Sequence, residues 1–214
     1  FISKVLKKES KVLDLGCGNG DFLLEIKKRQ HGAFLKGLDY SMSEVKEARS
    51  RGLEVNFGDF GEGIEMDKSS FDIINASEII EHLYNPDLML SESNRVLKKG
   101  GYLILSTPNL CAWFNRILLP IGVQPLFLEP STKSKLVGAG FLKKFKKESQ
   151  PVGHVRIFTL QALKDMLEMN GFKIMKVKGA IYDSGFPSKL WFIDKLFCTI
   201  PTLSSHFVIL AKKI

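Results

Sequence analysis

Cysteine is scarce in this sequence. Cys17, Cys111 and Cys198 are all it has, and no two stand at a Cys-x-x-Cys spacing. So odd and scattered a set speaks against a disulfide framework or a cysteine-built zinc site, and makes the reducing cytoplasm the expected home. A membrane span is missing too: no unbroken run reaches the ~18–20 apolar residues that crossing a bilayer takes. The nearest, 113–128, is interrupted by Asn115, Arg116, Pro120 and Pro125. There is no repeat. Acidic residues are in deficit, 23 against 31 basic, for a formal net charge of +8. That balance favours anionic partners by long-range attraction and says nothing about fold. A lysine-rich solubilising surface and a nucleic-acid or anionic-membrane partner both stay open. A hydrophobic fraction of 44% with 25% charged residues excludes disorder, and 214 residues fit a single domain, 1–214, with a large core. The chain opens on Phe1 rather than Met and is expected to be a trimmed one.

What is present is a rhythm. Residues 11–15 (KVLDL) read as a buried strand, ended by the glycines of GCGNG, and 21–30 follow on a helical period. Residues 34–39 are a second strand. Ser41 and Ser43 are candidate caps for a helix to about Arg51, and 53–57 alternate as a third strand. Residues 71–76 (FDIINA) are a fourth. Pro86 suits the first turn of a helix reaching Leu97, which Lys98, Lys99, Gly100 and Gly101 are expected to close. Residues 102–106 are a fifth strand. Strands alternating with helices in this way predict an α/β domain, a mostly parallel sheet covered on both faces. From 108 to 152 the rhythm fails. That insertion carries five prolines, counting its flank at Pro151, and the basic cluster Lys143, Lys144, Lys146 and Lys147. A connection this long is expected to form a lid or subdomain on the acceptor side. Thr159 then caps a helix that Gly171 ends, 172–177 is a strand, 188–198 are amphipathic, and 206–211 are a last strand, with the late strands fitting an edge hairpin.

The glycine turn carries the first chemistry. Gly16, Gly18 and Gly20 let backbone approach a ligand closely and aim helix N–H groups at an anionic group, with the third glycine one residue earlier than in the dinucleotide fingerprint. Asp14 sits on the preceding apolar strand and needs a polar partner. Asp39 ends strand two, about twenty residues on, where a carboxylate can take both ribose hydroxyls. Asp59 follows strand three.

The segments VLDLGCGNG, GLDYS, NFGDF, FDIINASEIIEHL and LKKGGYLILSTPN resemble, in order and spacing, the class I S-adenosylmethionine-dependent methyltransferases, strongly over 9–110 and more loosely over 153–213. The resemblance implies a Rossmann-like sheet of seven strands in the order 3-2-1-4-5-7-6, the seventh antiparallel. It also implies that Gly16, Gly18 and Gly20 border the methionine moiety of S-adenosylmethionine, with Asp14 under its amino group. Asp39, with Tyr40 beside it, would hold the ribose. Asp59 and Phe60 would contact adenine, and Ser77 would lie near the sulfonium.

Methyl transfer from a sulfonium mainly needs alignment, but a hydroxyl acceptor also needs a base or a metal. Glu78, Glu81 and His82 follow strand four, and on a helical turn i, i+3 and i+4 share a face. With His154 they could bind a divalent metal; alternatively they shape a metal-free pocket in which His82 or His154 is the catalytic base, or are structural. The pattern resembles ubiquinone-pathway O-methyltransferases and the enzymes that 2′-O-methylate the 3′ ends of small RNAs, and in both the resemblance implies a divalent metal beside the methyl. Trp113, Phe114, Phe127, Phe141 and Phe145 line an acceptor pocket or form the insertion's own core. Leu190, Trp191, Phe192, Leu196 and Phe197, near Lys189 and Lys195, lie on a membrane surface or pack on the domain or another subunit, so a homodimer stays open.

The leading expectation is an O-methyltransferase for a small or lipid- or glycan-linked hydroxylated acceptor; the chain resembles methyltransferases of type 11/23, and the insertion segment NRILLPIGVQPLFLEPSTK resembles that of bacterial methyltransferases. An RNA methyltransferase and a non-catalytic homologue that keeps the cofactor are the alternatives, with a nicotinamide oxidoreductase disfavoured by the early third glycine and the lack of a hydride-transfer site.

Overall fold

The computed structural model describes residues 1–145, 149–181 and 191–214, Phe145 and Trp191 by backbone alone. Lys146, Lys147, Lys189 and Leu190, with the side chain of Trp191, lie outside the described residues. A short helix α1 (Ile2–Val5) precedes β1 (Lys11–Leu15), α2 (Asp21–Arg29), β2 (Phe34–Asp39), α3 (Met42–Ser50), β3 (Val55–Phe57), β4 (Phe71–Ser77), α4 (Pro86–Val96), β5 (Leu97–Pro108), α5 (Trp113–Leu118), α6 (Leu160–Met169), β6 (Phe172–Ala180), α7 (Trp191–Phe197) and β7 (His206–Lys213). The sheet has seven strands in the order 3-2-1-4-5-7-6. Strands β1 to β5 pair in parallel, while β7 runs antiparallel to both β5 and β6.

Strand alternation builds the layers. Leu13 and Leu15 of β1, Ile74 and Ala76 of β4, Leu103 and Leu105 of β5 and Phe207 and Ile209 of β7 turn to one face, where Met89 and Leu90 of α4 and Leu163 and Leu167 of α6 cover them. Their neighbours Val12, Ile73, Ile104 and Leu210 turn to the other, against Ile26 of α2. Each fully buried Leu or Ile contributes about 1.5–3 kcal/mol, and both faces are filled, as a parallel sheet requires. Of the predicted caps, Ser41 Oγ accepts from Glu44 N and Thr159 Oγ1 from Ala162 N, while Ser43 lies inside α3; Asn85, not foreseen, caps α4 ahead of Pro86 by accepting from Leu88 N.

Several strand bounds differ from the sequence reading, β3 starting at Val55, β5 running Leu97–Pro108 and β6 reaching Ala180, and one difference has a clear cause. Helix α4 stops at Val96, and Lys98 to Gly101 are the start of β5 rather than a helix C-terminus. Leu97 is fully buried and pairs with Phe71, so the chain must already be extended there. The glycine pair serves the irregularity that follows: a Cβ on Gly101 would stand 2.9 Å from Lys98 O and 3.0 Å from Asp72 O. Lys98 Nζ pairs with Asp72 Oδ1 at 2.7 Å. The cation for the last carbonyls comes from β7 instead, as Lys213 Nζ donates to Asn94 O and Leu97 O.

The insertion is stapled by two buried amides. Asn109 donates from Nδ2 to Ser204 O at 2.8 Å and accepts from Cys111 N at 2.9 Å. Asn115 accepts from Leu126 N at 2.7 Å and donates to Leu110 O at 3.0 Å. Helix α7 faces inward with its acid: Asp194 is buried and accepts from Trp113 Nε1 at 3.0 Å and from Ser205 Oγ. Phe192 and Leu196 point outward, 70% and 66% exposed. No helix among the described residues is long and apolar enough to cross a membrane.

Candidate functional site

Strand order reverses between β1, paired with β2 on one side, and β4 on the other. In open α/β sheets the crevice beyond the carboxyl ends of such strands is where ligands bind. The glycine turn leaves β1 at that point. Gly16, Gly18 and Gly20 all have positive φ, at 67°, 51° and 85°. A Cβ on Gly16 would collide with Ile79 Cδ1, whereas one on Gly18 would meet nothing nearer than Glu44 Oε2 at 3.6 Å. The cradle is therefore closed beneath and open at its tip. Gly18 N donates to Asp39 Oδ2 at 2.7 Å and Ser41 N to Asp39 Oδ1 at 2.8 Å, so the carboxylate is fixed by backbone from two loops. Each of its oxygens keeps a lone pair for a further donor.

Below the turn, Asp14 is 2% exposed and accepts from Asn75 Nδ2 at 2.8 Å, while Ser77 Oγ donates to Asn75 Oδ1 at 3.0 Å. Burial pushes the Asp14 carboxyl up to about 7; the Asn75 bond opposes the rise and the Asp39 charge adds to it. A cationic group set over Asp14 would reverse that balance. Tyr40 is exposed and its ring lies 5.6 Å from that of Phe57. Asp59 accepts from Gly61 N at 2.8 Å and closes its own turn. Phe60 is 5% exposed and its ring packs with Leu38 and Ile64 in the main core; Phe57 is the accessible aromatic beside Tyr40.

The acceptor-side residues follow β4. They do not share an α-helical turn: Glu78 has φ +56°, and only Ile80–His82 form a 3-10 turn. The bend leaves the Glu78 carboxylate beside Glu81 but gives it partners of its own. Its Oε1 accepts from Ser106 Oγ at 2.6 Å and its Oε2 lies 3.4 Å from His206 Nε2. Burial raises the Glu78 pKa, but His206 and Ser106 outweigh it and hold the carboxyl below its usual range. Glu81 is fully buried, its Oε2 accepting from Thr107 Oγ1 at 2.9 Å and its Oε1 left without a hydrogen-bond partner. Burial, with the Glu78 carboxylate beside it, pushes Glu81 up to about 8.

His154 reaches this turn because Glu81 O accepts from Val155 N and Arg156 N, binding the end of the insertion to it. The His82 and His154 rings lie 4.9 Å apart. Glu81, His82 and His154 each offer a ligand atom, all within 4.8 Å of one another. Of the four residues singled out in sequence, three thus offer a common ligand set, while Glu78, still beside Glu81, is engaged by Ser106 and His206. An orphaned buried carboxylate oxygen beside two imidazoles suits a divalent cation, which such atoms accept in place of a hydrogen bond. Phe127, in strained backbone at φ +72°, stands 5.0 Å from the His206 ring and 5.9 Å from Phe114. Asn75, Thr107 and Phe57 stand inside segments that carry the resemblance but were given no role there, and His206 and Glu129 lie outside those segments; only the strand register brings Asn75, Thr107 and His206 to the site.

Comparison with known proteins bears on this arrangement. A family model described as a methyltransferase domain matches residues 6–171. The ubiquinone biosynthesis O-methyltransferase of Coxiella burnetii is 34% identical over 157 residues, covering 65% of this chain and 66% of that one. The enzyme of the same name from Pelagibacter ubique is 33% identical over 106 residues, 48% of this chain and 43% of that one. The chain thus spans between under half and about two thirds of these relatives' length. Among solved structures, a SAM-dependent methyltransferase from Methanosarcina mazei superposes with a TM-score of 0.69 at 21% identity, covering 100% of this chain and 96% of that one.

Proposed function

The chain belongs to the methyltransferase domain family, of the class I S-adenosylmethionine-dependent kind, and from that premise we propose that it methylates a hydroxyl of a small or lipid-linked acceptor. The single observation that carries the acceptor chemistry is the cluster of Glu81, His82 and His154, with its orphaned Glu81 Oε1, beyond the carboxyl end of β4. S-adenosylmethionine supplies a methyl already activated on sulfonium, so the protein's work is alignment and handling of the acceptor proton.

On this reading the glycine turn 16–20 receives the amino-acid end, Asp14 faces its ammonium, Asp39 takes ribose hydroxyls and Tyr40 flanks them. Ser77 borders the methyl side, and Asp59 stands at the adenine end with Phe57 in place of Phe60. Glu81, His82 and His154 would hold a divalent cation, which would lower the pKa of a coordinated hydroxyl and orient its oxygen. Both imidazoles donate from Nδ1 to backbone carbonyls, His82 to Gly153 O and His154 to Phe127 O, which leaves each Nε2 with a lone pair for a cation or a proton. Residues 108–152 form the acceptor-side wall, Phe127 its inner surface. Curated relatives named for O-methylation in ubiquinone biosynthesis support this reading.

The test is incubation of a metabolite extract with labelled S-adenosylmethionine, then turnover of the labelled product's precursor with and without chelator. Loss of turnover on chelation, its return with Mg²⁺ or Mn²⁺, and its loss in Glu81→Gln and His82→Ala are expected. Full turnover under chelation removes the cation and leaves His82 or His154 as base. The net charge of +8 favours a second reading, an RNA 2′-O-methyltransferase using the same cluster; label appearing in an RNA fraction alone would establish it.

A further inference from the structure

Glu129 lies in the insertion, outside every motif of the sequence. Its carboxylate accepts from three successive backbone N–H groups: Val152 at 2.9 Å to Oε1, and Gly153 at 2.8 Å and His154 at 3.2 Å to Oε2. Gly153 stands at φ +93°, a left-handed conformation that lets consecutive N–H groups converge on one anion. The two segments so joined are the ones that hold the imidazoles. Phe127 O, two residues before Glu129, accepts from His154 Nδ1 at 2.9 Å. Gly153 O, on the backbone that Glu129 grips, accepts from His82 Nδ1 at 3.1 Å. One side chain therefore closes a ring through Phe127, His154 and Gly153, to which His82 is joined at Gly153 O.

We propose that Glu129 is a positioning residue of the Glu81–His82–His154 cluster, fixing both histidines in the tautomer that carries hydrogen on Nδ1 and presents a bare Nε2. It touches neither imidazole and acts through the backbone at 152–154. A carbonyl can only accept, so each ring must place its proton on Nδ1 while the two carbonyls stay where Glu129 holds them. Partners of this kind, removed, typically cost about 10–100-fold in metal affinity or activity. The insertion then contributes to the chemistry by orienting the two histidines through backbone carbonyls, and the carbonyl that takes His154 belongs to Phe127, whose φ is +72°.

This rests on the proposed role of the cluster, and the experiment separates the two. Full-length Glu129→Ala and Glu129→Gln are compared with the parent by long-range ¹H–¹⁵N spectra of ¹⁵N-histidine-labelled protein, with no metal added, and by titration with Co²⁺ alone followed in the visible spectrum. S-adenosylhomocysteine affinity reports that the fold is intact. In the parent, His82 and His154 show the Nδ1–H form. In Glu129→Ala both signals move toward a tautomer mixture and Co²⁺ affinity falls at least 10-fold, while nucleoside affinity stays within twofold. Glu129→Gln, which keeps one accepting oxygen, falls between. Unchanged tautomers in Glu129→Ala overturn the positioning role. A tautomer shift in Glu129→Ala with a parent that takes up no Co²⁺ upholds it and instead overturns the metal-holding reading.

Discussion

At the scale of single residues, Asp14 sets the strongest condition on the molecule. A carboxyl with a folded pKa near 7 and an unfolded value near ~3.9 favours folding only while it is protonated. The folded state binds the proton more tightly, so this stabilisation is complete below the unfolded pKa and is lost as pH rises through the folded one, leaving a buried charge held by Asn75 alone. The cofactor-free protein should therefore lose on the order of a few kcal/mol between about pH 4 and pH 8 from this group. Asp14→Asn should flatten that part of the profile in denaturant melts and, on the proposed role of Asp14 facing the ammonium, weaken S-adenosylhomocysteine binding. If the slope survives in Asp14→Asn, the carboxyl is not its source. Asp14 was legible in sequence because an acid in an apolar strand demands a partner; Asn75 was not, because the pairing of β1 with β4 supplies it. The burial of the Phe60 ring was not legible for a similar reason: the motif fixes its position along the chain, while the core decides where the ring goes.

At the scale of elements, the glycine turn 16–20 and the turn carrying Glu81 and His82 meet at Ile79, and on the proposed function they should behave as one mechanical unit. Gly16, at φ +67°, leaves room for Ile79, and Ile79 lies between Glu78 and the 3-10 turn that carries Glu81 and His82. Gly16→Ala should act twice, by strain at a positive φ of roughly 1 kcal/mol or more and by displacing Ile79. The expected result is weaker S-adenosylhomocysteine binding together with a loss of Co²⁺ affinity at a cluster that Gly16 does not touch. In Gly16→Ala/Ile79→Ala, where the collision is relieved, Co²⁺ affinity should recover more than nucleoside affinity; equal recovery would show that the two turns are not coupled through Ile79. Elements with a strong local period were legible: β1, β2, β4, α3 and α6 stand within a residue or two of their expected bounds, and their caps form. The Gly100–Gly101 pair was not, since glycines after a helix look alike whether they cap it or bend the next strand, and only the pairing of Leu97 with Phe71 decides. The spacing of Glu78, Glu81 and His82 fitted a helical face on paper, and a positive φ at Glu78 removed it. Glu129 left no trace at all, because a side chain that grips backbone N–H groups needs no partner residue type to mark it.

At the scale of the whole molecule, the question is what the +8 charge is for. An open sheet has two edges that can pair with another chain. One edge, β3, is three residues long. The other, β6, runs nine residues and carries exposed Lys173, Lys176 and Lys178. Lysines on a long edge strand are a common defence against edge-to-edge association, since a second copy would bring like charges together. On this account part of the basic excess protects the sheet and owes nothing to a nucleic acid. Replacing Lys173, Lys176 and Lys178 together by Ser should raise concentration-dependent association in light scattering, most at high salt, where the remaining charges are screened. Methyl transfer to the small acceptor and S-adenosylhomocysteine affinity should not change, because β6 lies at the far edge from the crevice between β1 and β4. Binding of a short RNA by the parent should be weak and should fall steeply with salt, as non-specific phosphate contacts do. A triple variant that stays as dispersed as the parent but loses RNA-dependent turnover would assign these lysines to an RNA surface and transfer the weight to the second reading of the site.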